Sequence, residues 1–195
     1  MADAFVFPGG RVESSDGEGE PALAAAAARE LHEEAGVEVA ASSLIKFGHW
    51  ITPSSEPRRF DTHFFITGVP AGQIARHDTV ETVGHLWATP SALLQKNAQG
   101  ELKLPPPTLR TLEDLSPFSS VDAALAWAKS LPIVTILPKL ITAGAEITIV
   151  LPWDPSYAAL PGETRVIDAA HSIARPPSRL TLSEGRWWAD RAKPV

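Results

Sequence analysis

Glu30, Glu33 and Glu34 fall three and four residues apart in the run Arg29-Glu30-Leu31-His32-Glu33-Glu34-Ala35-Gly36-Val37. On a helix those spacings put all three carboxylates on one face. Like charges that close repel, so the grouping does nothing for the helix by itself. A divalent cation removes the conflict, because hard ions such as Mg2+ take oxygen ligands and tolerate several carboxylates around one centre. An ion held there could neutralise anionic oxygens, position a water and lower its pKa. Arg29, four residues before Glu33, can grip a carboxylate through paired hydrogen bonds.

Two elements must position these groups. The first is an apolar run, Phe5-Val6-Phe7, that ends in Pro8-Gly9-Gly10, where the backbone can turn sharply or come close to a ligand. The second is a helix predicted over 21–35. Pro21 suits its first turn, the alanines from Ala24 to Ala28 favour it, and Gly36 stops it. Leu23, Ala27 and Leu31 form a stripe at spacing four that should face a sheet, leaving the glutamates to point elsewhere. A solvated acidic face is the commoner fate of a charge run. It does not account for the syntax Arg-Glu-Leu-x-Glu-Glu-x-Gly.

At these residues the sequence resembles the Nudix hydrolases, whose box ends in the pattern R-E-U-x-E-E-x-G-U, with U a bulky aliphatic residue. Arg29, Glu30, Leu31, Glu33, Glu34, Gly36 and Val37 match that half. The first half departs: its Gly would fall on Ser15 and its Glu on Pro21, and Gly10 lies farther upstream, so the loop 11–20 is longer than the family minimum. Such a loop resembles the branch that includes acyl-coenzyme-A diphosphatases. The resemblance extends through Arg76-His77-Asp78, Glu81-Thr82-Val83 and Leu86-Trp87 to about Asp122. It implies a Nudix-like α/β/α sandwich with a mixed sheet, and hydrolysis of a diphosphate bond in a nucleoside-diphosphate-linked metabolite with Mg2+ or Mn2+. A coenzyme A derivative is one candidate substrate. Carried over residue by residue, Glu33 and Glu34 are metal ligands, Glu30 is a third, and the Gly10 carbonyl completes the set. Arg29 orients a carboxylate. Glu81 is the candidate base or extra ligand. The family's coenzyme-A signature would lie upstream of the glycine turn. The alternative is a non-catalytic Nudix-like module that binds a ligand or a partner.

Elsewhere the chain offers supporting roles. Glu13, Asp16, Glu18 and Glu20 add charge before the helix, with Glu20 nearest in sequence to the missing early Glu. Strands are predicted over 45–51 and 62–67, joined by the loop Thr52 to Pro57, which Arg58 and Arg59 close. Those arginines either grip substrate phosphates or are solvated. A further strand is expected over 82–88, with Trp87 in the core. Helices are expected from Thr89-Pro90-Ser91 through Leu94, over 108–115 with Leu109, Leu112 and Leu115 on one side, and from Ser120 to about Lys129. From Leu131 the texture becomes β-branched, with strands expected over 133–137, 146–151, 164–167 and 179–182 and a hairpin closing at Ser183-Glu184-Gly185. Residues 1–130 thus read as the hydrolase domain and 131–195 as a β-rich extension that either stands apart or lends strands.

Composition narrows the classes. With 195 residues, 44% of them hydrophobic, the chain can bury a full core. A net charge of −6 argues against a binder of nucleic-acid polymers, though bound metal and a few arginines can still draw an anionic small molecule. There is no Cys, which suits a reducing cytoplasm, and no apolar run long enough to cross a membrane. The six histidines show no zinc spacing along the chain. Only seven residues precede the glycine turn, where the resemblance implies further strands. The reading is of a start inside such a protein, with a naturally short amino end as the alternative. A sheet short of strands would leave an apolar edge, and a homodimer would cover it.

Overall fold

The alternation of Ile45, Phe47 and Ile51 forms strand β1 over Ile45–Ile51, and β2 follows over Asp61–Ile66. They run antiparallel, with the register displaced by one residue between Lys46 and Gly48. Beyond that bulge His49 faces His63; the register before it would set His49 against Thr62. Gly48 permits the close crossing, since a Cβ there would stand 3.3 Å from the Cβ of Phe64. A two-residue strand, β3 (Thr135–Ile136), pairs with β1 in parallel, so the sheet β2-β1-β3 is mixed. The structure, a computed structural model, describes residues 4–73 and 86–189.

Helix α1 spans Gly19–Ala35, and Gly36 closes it in the left-handed conformation (φ 63°) with its N–H on the His32 carbonyl at 2.8 Å. Its buried residues are Ala22, Ala26 and Ala35; Leu23, Ala27 and Leu31 are only half-buried. The contact stripe is therefore rotated from the expected one by a residue. Small side chains let the helix backbone approach closely, while Leu31 and Val39 both pack on the pair Ala35 and Val37.

Helices α2 (Pro90–Gln99), α3 (Pro106–Leu115) and α4 (Val121–Ser130) follow. Thr89 and Ser120 cap α2 and α4 by accepting the N–H of Ala92 at 3.3 Å and of Ala123 at 3.2 Å. Helix α2 runs well past Leu94, the end expected from sequence. Helix α3 buries Leu109 and Leu112. Helices bracket β1: Lys46 is paired with Glu20 of α1, and the Phe47 ring lies 6.2 Å from that of Trp127 on α4.

The tail both lends a strand and builds its own sheet. After β3 come β4 (Lys139–Ala143), β5 (Glu146–Val150), β6 (Arg179–Ser183) and β7 (Arg186–Ala189), in the antiparallel order β4-β5-β6-β7. The closing hairpin turns at Glu184 and Gly185, both with positive φ (52° and 74°), which suits the twist of a two-residue loop. Two expectations fail here. The run 133–137 supplies only two strand residues, and 164–167 is irregular, its Ile167 N–H donating to the Pro152 carbonyl at 3.1 Å and not to a ladder. The main core joins both halves of the chain: Trp50, Leu104 and Leu109 pack in one cluster with Ile149, Leu151 and Leu180. Each fully buried leucine there contributes about 1.5–3 kcal/mol.

Trp87 is not in that core. Residues 86–89 are irregular, no described strand sets a partner against the indole, and it is 63% exposed. The expected strand's first residues, 82–85, lie outside the described residues, as do Arg76-His77-Asp78 and Glu81. No described helix is long and apolar enough to cross a membrane.

Candidate metal and hydrolase site

The glycine turn is brought to the acidic helix by the residues before it. Phe5 donates its N–H to the Lys103 carbonyl at 2.9 Å, and the Phe7 ring stands edge-on to Phe64 of β2 at 6.5 Å. The chain then crosses α1. The Gly9 N–H donates to Glu34 Oε2 at 3.0 Å. At Gly10 a Cβ would lie 2.1 Å from Glu30 Oε1, so the Glu30 carboxylate occupies the space any larger residue would need. Glu30 and Glu34, one turn apart, thus meet the two glycines directly.

Arg29 organises the rest. Its Nη1 donates to Glu30 Oε1 at 2.8 Å and to Glu33 Oε2 at 3.0 Å. Its Nε and Nη2 grip the two oxygens of Asp16 at 3.0 and 3.1 Å, and Nη2 also donates to the Arg11 carbonyl at 2.9 Å. Those hydrogen bonds, to Asp16 first and Glu30 next, raise the guanidinium pKa further. The same contact, joined by the Glu13 backbone, holds the Asp16 carboxyl below the usual range. Asp16 is the acidic loop residue that reaches this centre. Glu20, nearer in sequence, pairs with Lys46 instead. Nothing local marks Asp16, which stands 13 residues from Arg29 and comes into place through a short 3-10 turn, Ser14–Asp16.

The donor chemistry fits a hard divalent ion: three carboxylates on one helix face, two touching the glycine turn, two sharing a guanidinium nitrogen. The Glu30 side chain is 14% exposed and that of Glu33 53%, so Glu33 offers the open side. Arg58 and Arg59 are placed differently. Arg58 lies over the Phe60 ring at 5.1 Å, and Arg59 donates to the Thr52 carbonyl at 3.1 Å and stands 3.6 Å from Glu163.

A second grouping was not visible in the sequence. Among the described residues, His49, Asp61 and His63 each offer a ligand atom, all within 4.8 Å of one another. Asp61 Oδ1 lies 2.6 Å from His49 Nε2 and 3.3 Å from His63 Nε2, and the two rings stack at 4.2 Å. Burial first, then the neighbouring Lys46 and His49, pushes the His63 pKa below its ordinary value. The sequence carries no spacing signal for this trio; the bulged register of β1 and β2 creates it.

Comparison with known proteins identifies the family. The family model described as NUDIX domain matches residues 2–107. Nudix hydrolase 7 of Caenorhabditis elegans is 27% identical over 183 residues, covering 73% of this chain and 62% of that protein. The acyl-coenzyme A diphosphatase NUDT19 of Homo sapiens is 32% identical over 82 residues and that of Xenopus laevis 30% over 84, in each case 41% of this chain and 22% of theirs. The chain thus spans about three fifths of the worm protein and about a fifth of the vertebrate ones. Among solved structures, a NUDIX hydrolase from Alicyclobacillus acidocaldarius superposes with a TM-score of 0.54 at 25% identity, over 62% of this chain and 79% of that one. With more than half of the chain matched by the family model and the fold shared with a solved member, this protein belongs to the NUDIX family.

Proposed function

We propose that the chain is a pyrophosphohydrolase that cleaves a diphosphate bond in a nucleoside-diphosphate-linked metabolite with Mg2+ or Mn2+. One observation carries the reading: Arg29 joins Glu30 and Glu33 at one nitrogen while the Gly9 N–H tethers Glu34, so all three carboxylates are oriented before any substrate arrives. Glu33 and Glu34 are the principal ligands in this reading, with Glu30 third and the Gly10 carbonyl completing the set. When bound, the ion offsets the negative charge of the diphosphate oxygens and acidifies a water. The protein's own part is positional. Arg29 fixes two carboxylates and does no chemistry itself, and Asp16 fixes Arg29. Glu33, half exposed, faces the side from which a water and a phosphate can approach. Attack by that water on phosphorus forms one P–O bond and breaks the bridging P–O bond, releasing two phosphate-bearing products; the water's proton passes to a base. Glu81 is our candidate for that base.

Coenzyme A derivatives lead the substrate panel, because two relatives named acyl-coenzyme A diphosphatase are 30–32% identical over their matched segments. Arg58 and Arg59 are the side chains we assign to substrate phosphates; Arg59 would have to leave Glu163 to serve. We assign the hydrolase chemistry to 1–130 and bracing to 131–195, whose β3 extends the mixed sheet. The absence of Cys suits a cytoplasmic setting. The test is a panel of coenzyme A derivatives, nucleotide sugars and dinucleoside diphosphates, assayed with Mg2+ and with Mn2+. Cleavage of at least one member supports the enzyme; binding without cleavage of any would make the chain a non-catalytic ligand-binding module.

A further inference from the structure

We propose that His49, Asp61 and His63 form a second divalent-metal site, separate from the glutamates of α1 and selective for transition ions such as Zn2+ or Co2+. Two imidazoles and one carboxylate are a donor set that suits borderline ions, whereas an all-carboxylate set suits Mg2+. The placement is specific. His49 and His63 are direct cross-strand partners, and Asp61 lies two residues before His63 on the same strand face. Each histidine presents Nε2 toward Asp61 Oδ1, at 2.6 and 3.3 Å.

One outer group is in place as well. His49 Nδ1 is 2.9 Å from Thr135 Oγ1 of β3, which fixes that ring and leaves Nε2 for a ligand. His63 Nδ1 is buried and has no hydrogen-bond partner among the described residues, so that ring's polar contact is made through Nε2 alone. The imidazoles are largely covered, with 16% of each side chain exposed, and Asp61 is open at 61%, so an ion enters from the Asp61 side. Zinc–nitrogen bonds of about 2.0–2.1 Å keep two ligands on one ion within about 4.2 Å of each other. The present 4.8 Å envelope therefore needs a small closure, and the 2.6 Å contact between His49 and Asp61 a small opening. The rings must also splay from their near-parallel stack, a rotation about the soft terminal torsion of histidine. Because the ligands come from β1 and β2 and the supporting hydroxyl from β3, an ion here would tie the three strands together.

The experiment is a titration of the tag-free protein with Co2+, followed by d–d absorption, and with Zn2+, followed by calorimetry and thermal melting, all in excess Mg2+. The site predicts one Zn2+ per chain with an increase in Tm, and a Co2+ band that Mg2+ does not suppress. His63→Gln and Asp61→Asn should each weaken Zn2+ binding by about 100-fold or more, and Thr135→Val by about tenfold, as outer-sphere partners of histidine ligands do. Glu34→Gln should leave the Co2+ band unchanged, which separates this site from the hydrolytic one. The proposal is overturned if the parent chain, folded by circular dichroism, gives neither band nor Tm shift. It is equally overturned if the signals survive His63→Gln and Asp61→Asn.

Discussion

Single side chains carry both the chemistry and part of the stability, and three substitutions test how. Gly10→Ala would put a Cβ where Glu30 Oε1 now lies, 2.1 Å away. The Glu30 carboxylate must move, so metal-dependent turnover should fall at least tenfold with little change in Tm, read by paired kinetics and melting. Asp16→Asn keeps the shape but removes the charge that Arg29 grips through two nitrogens. It should raise the Mg2+ concentration needed for half-maximal rate, because the guanidinium then leans more on Glu30 and Glu33 and competes with the ion. Asp154 offers a pH test. Burial alone would raise its pKa, but hydrogen bonds from Arg179, Ser156 and Ser178 outweigh it and hold the carboxyl well below the usual range. A depressed folded-state pKa contributes stability that is present above the unfolded Asp value, about 3.9, and lost as pH falls below it. Chemical denaturation across pH 5 to pH 2 should show that loss, and Asp154→Asn should flatten it.

Elements show what the sequence could and could not disclose. The half-box from Arg29 to Val37 was legible because helical spacing alone puts its carboxylates on one face, and Gly36 stops the helix where expected. The capped starts of α2 and α4 were legible for the same local reason. Strand β4 was not, because it opens on Lys139, a charge that reads as loop. In the fold that side chain is buried, donating from Nζ to the carbonyls of Tyr157 at 3.1 Å and Leu160 at 2.6 Å and to Thr164 Oγ1 at 2.6 Å. Lys139→Met should strand those acceptors and cost about 3 kcal/mol in denaturant unfolding. Nor was the His49–His63 pair read, since it depends on a one-residue bulge for which Gly48 inside β1 is the local sign. The tie between Asp16 and Arg29 was hidden likewise. Both are set by how distant segments meet, which spacing along the chain does not encode.

At the scale of the molecule, the tail and the family domain share one core, while the end of α1 packs in a separate small cluster with Val37. Buried Asn97 on α2 illustrates the coupling: its side chain accepts from the Leu104 N–H and donates to the Trp187 carbonyl, both at 3.2 Å. The family's box, a glycine turn over an acidic helix, is the part of this assembly to which we assign hydrolysis. The most direct test compares the parent chain with Glu33→Gln on the diphosphate panel across a Mg2+ titration. Glu33 is half exposed and contacts Arg29, so the variant should keep its fold and Tm. Parent cleavage that depends on Mg2+ and falls by about two to three orders of magnitude in the variant is the result expected for a group acting on transition-state charge. Undiminished cleavage by folded Glu33→Gln would contradict the account.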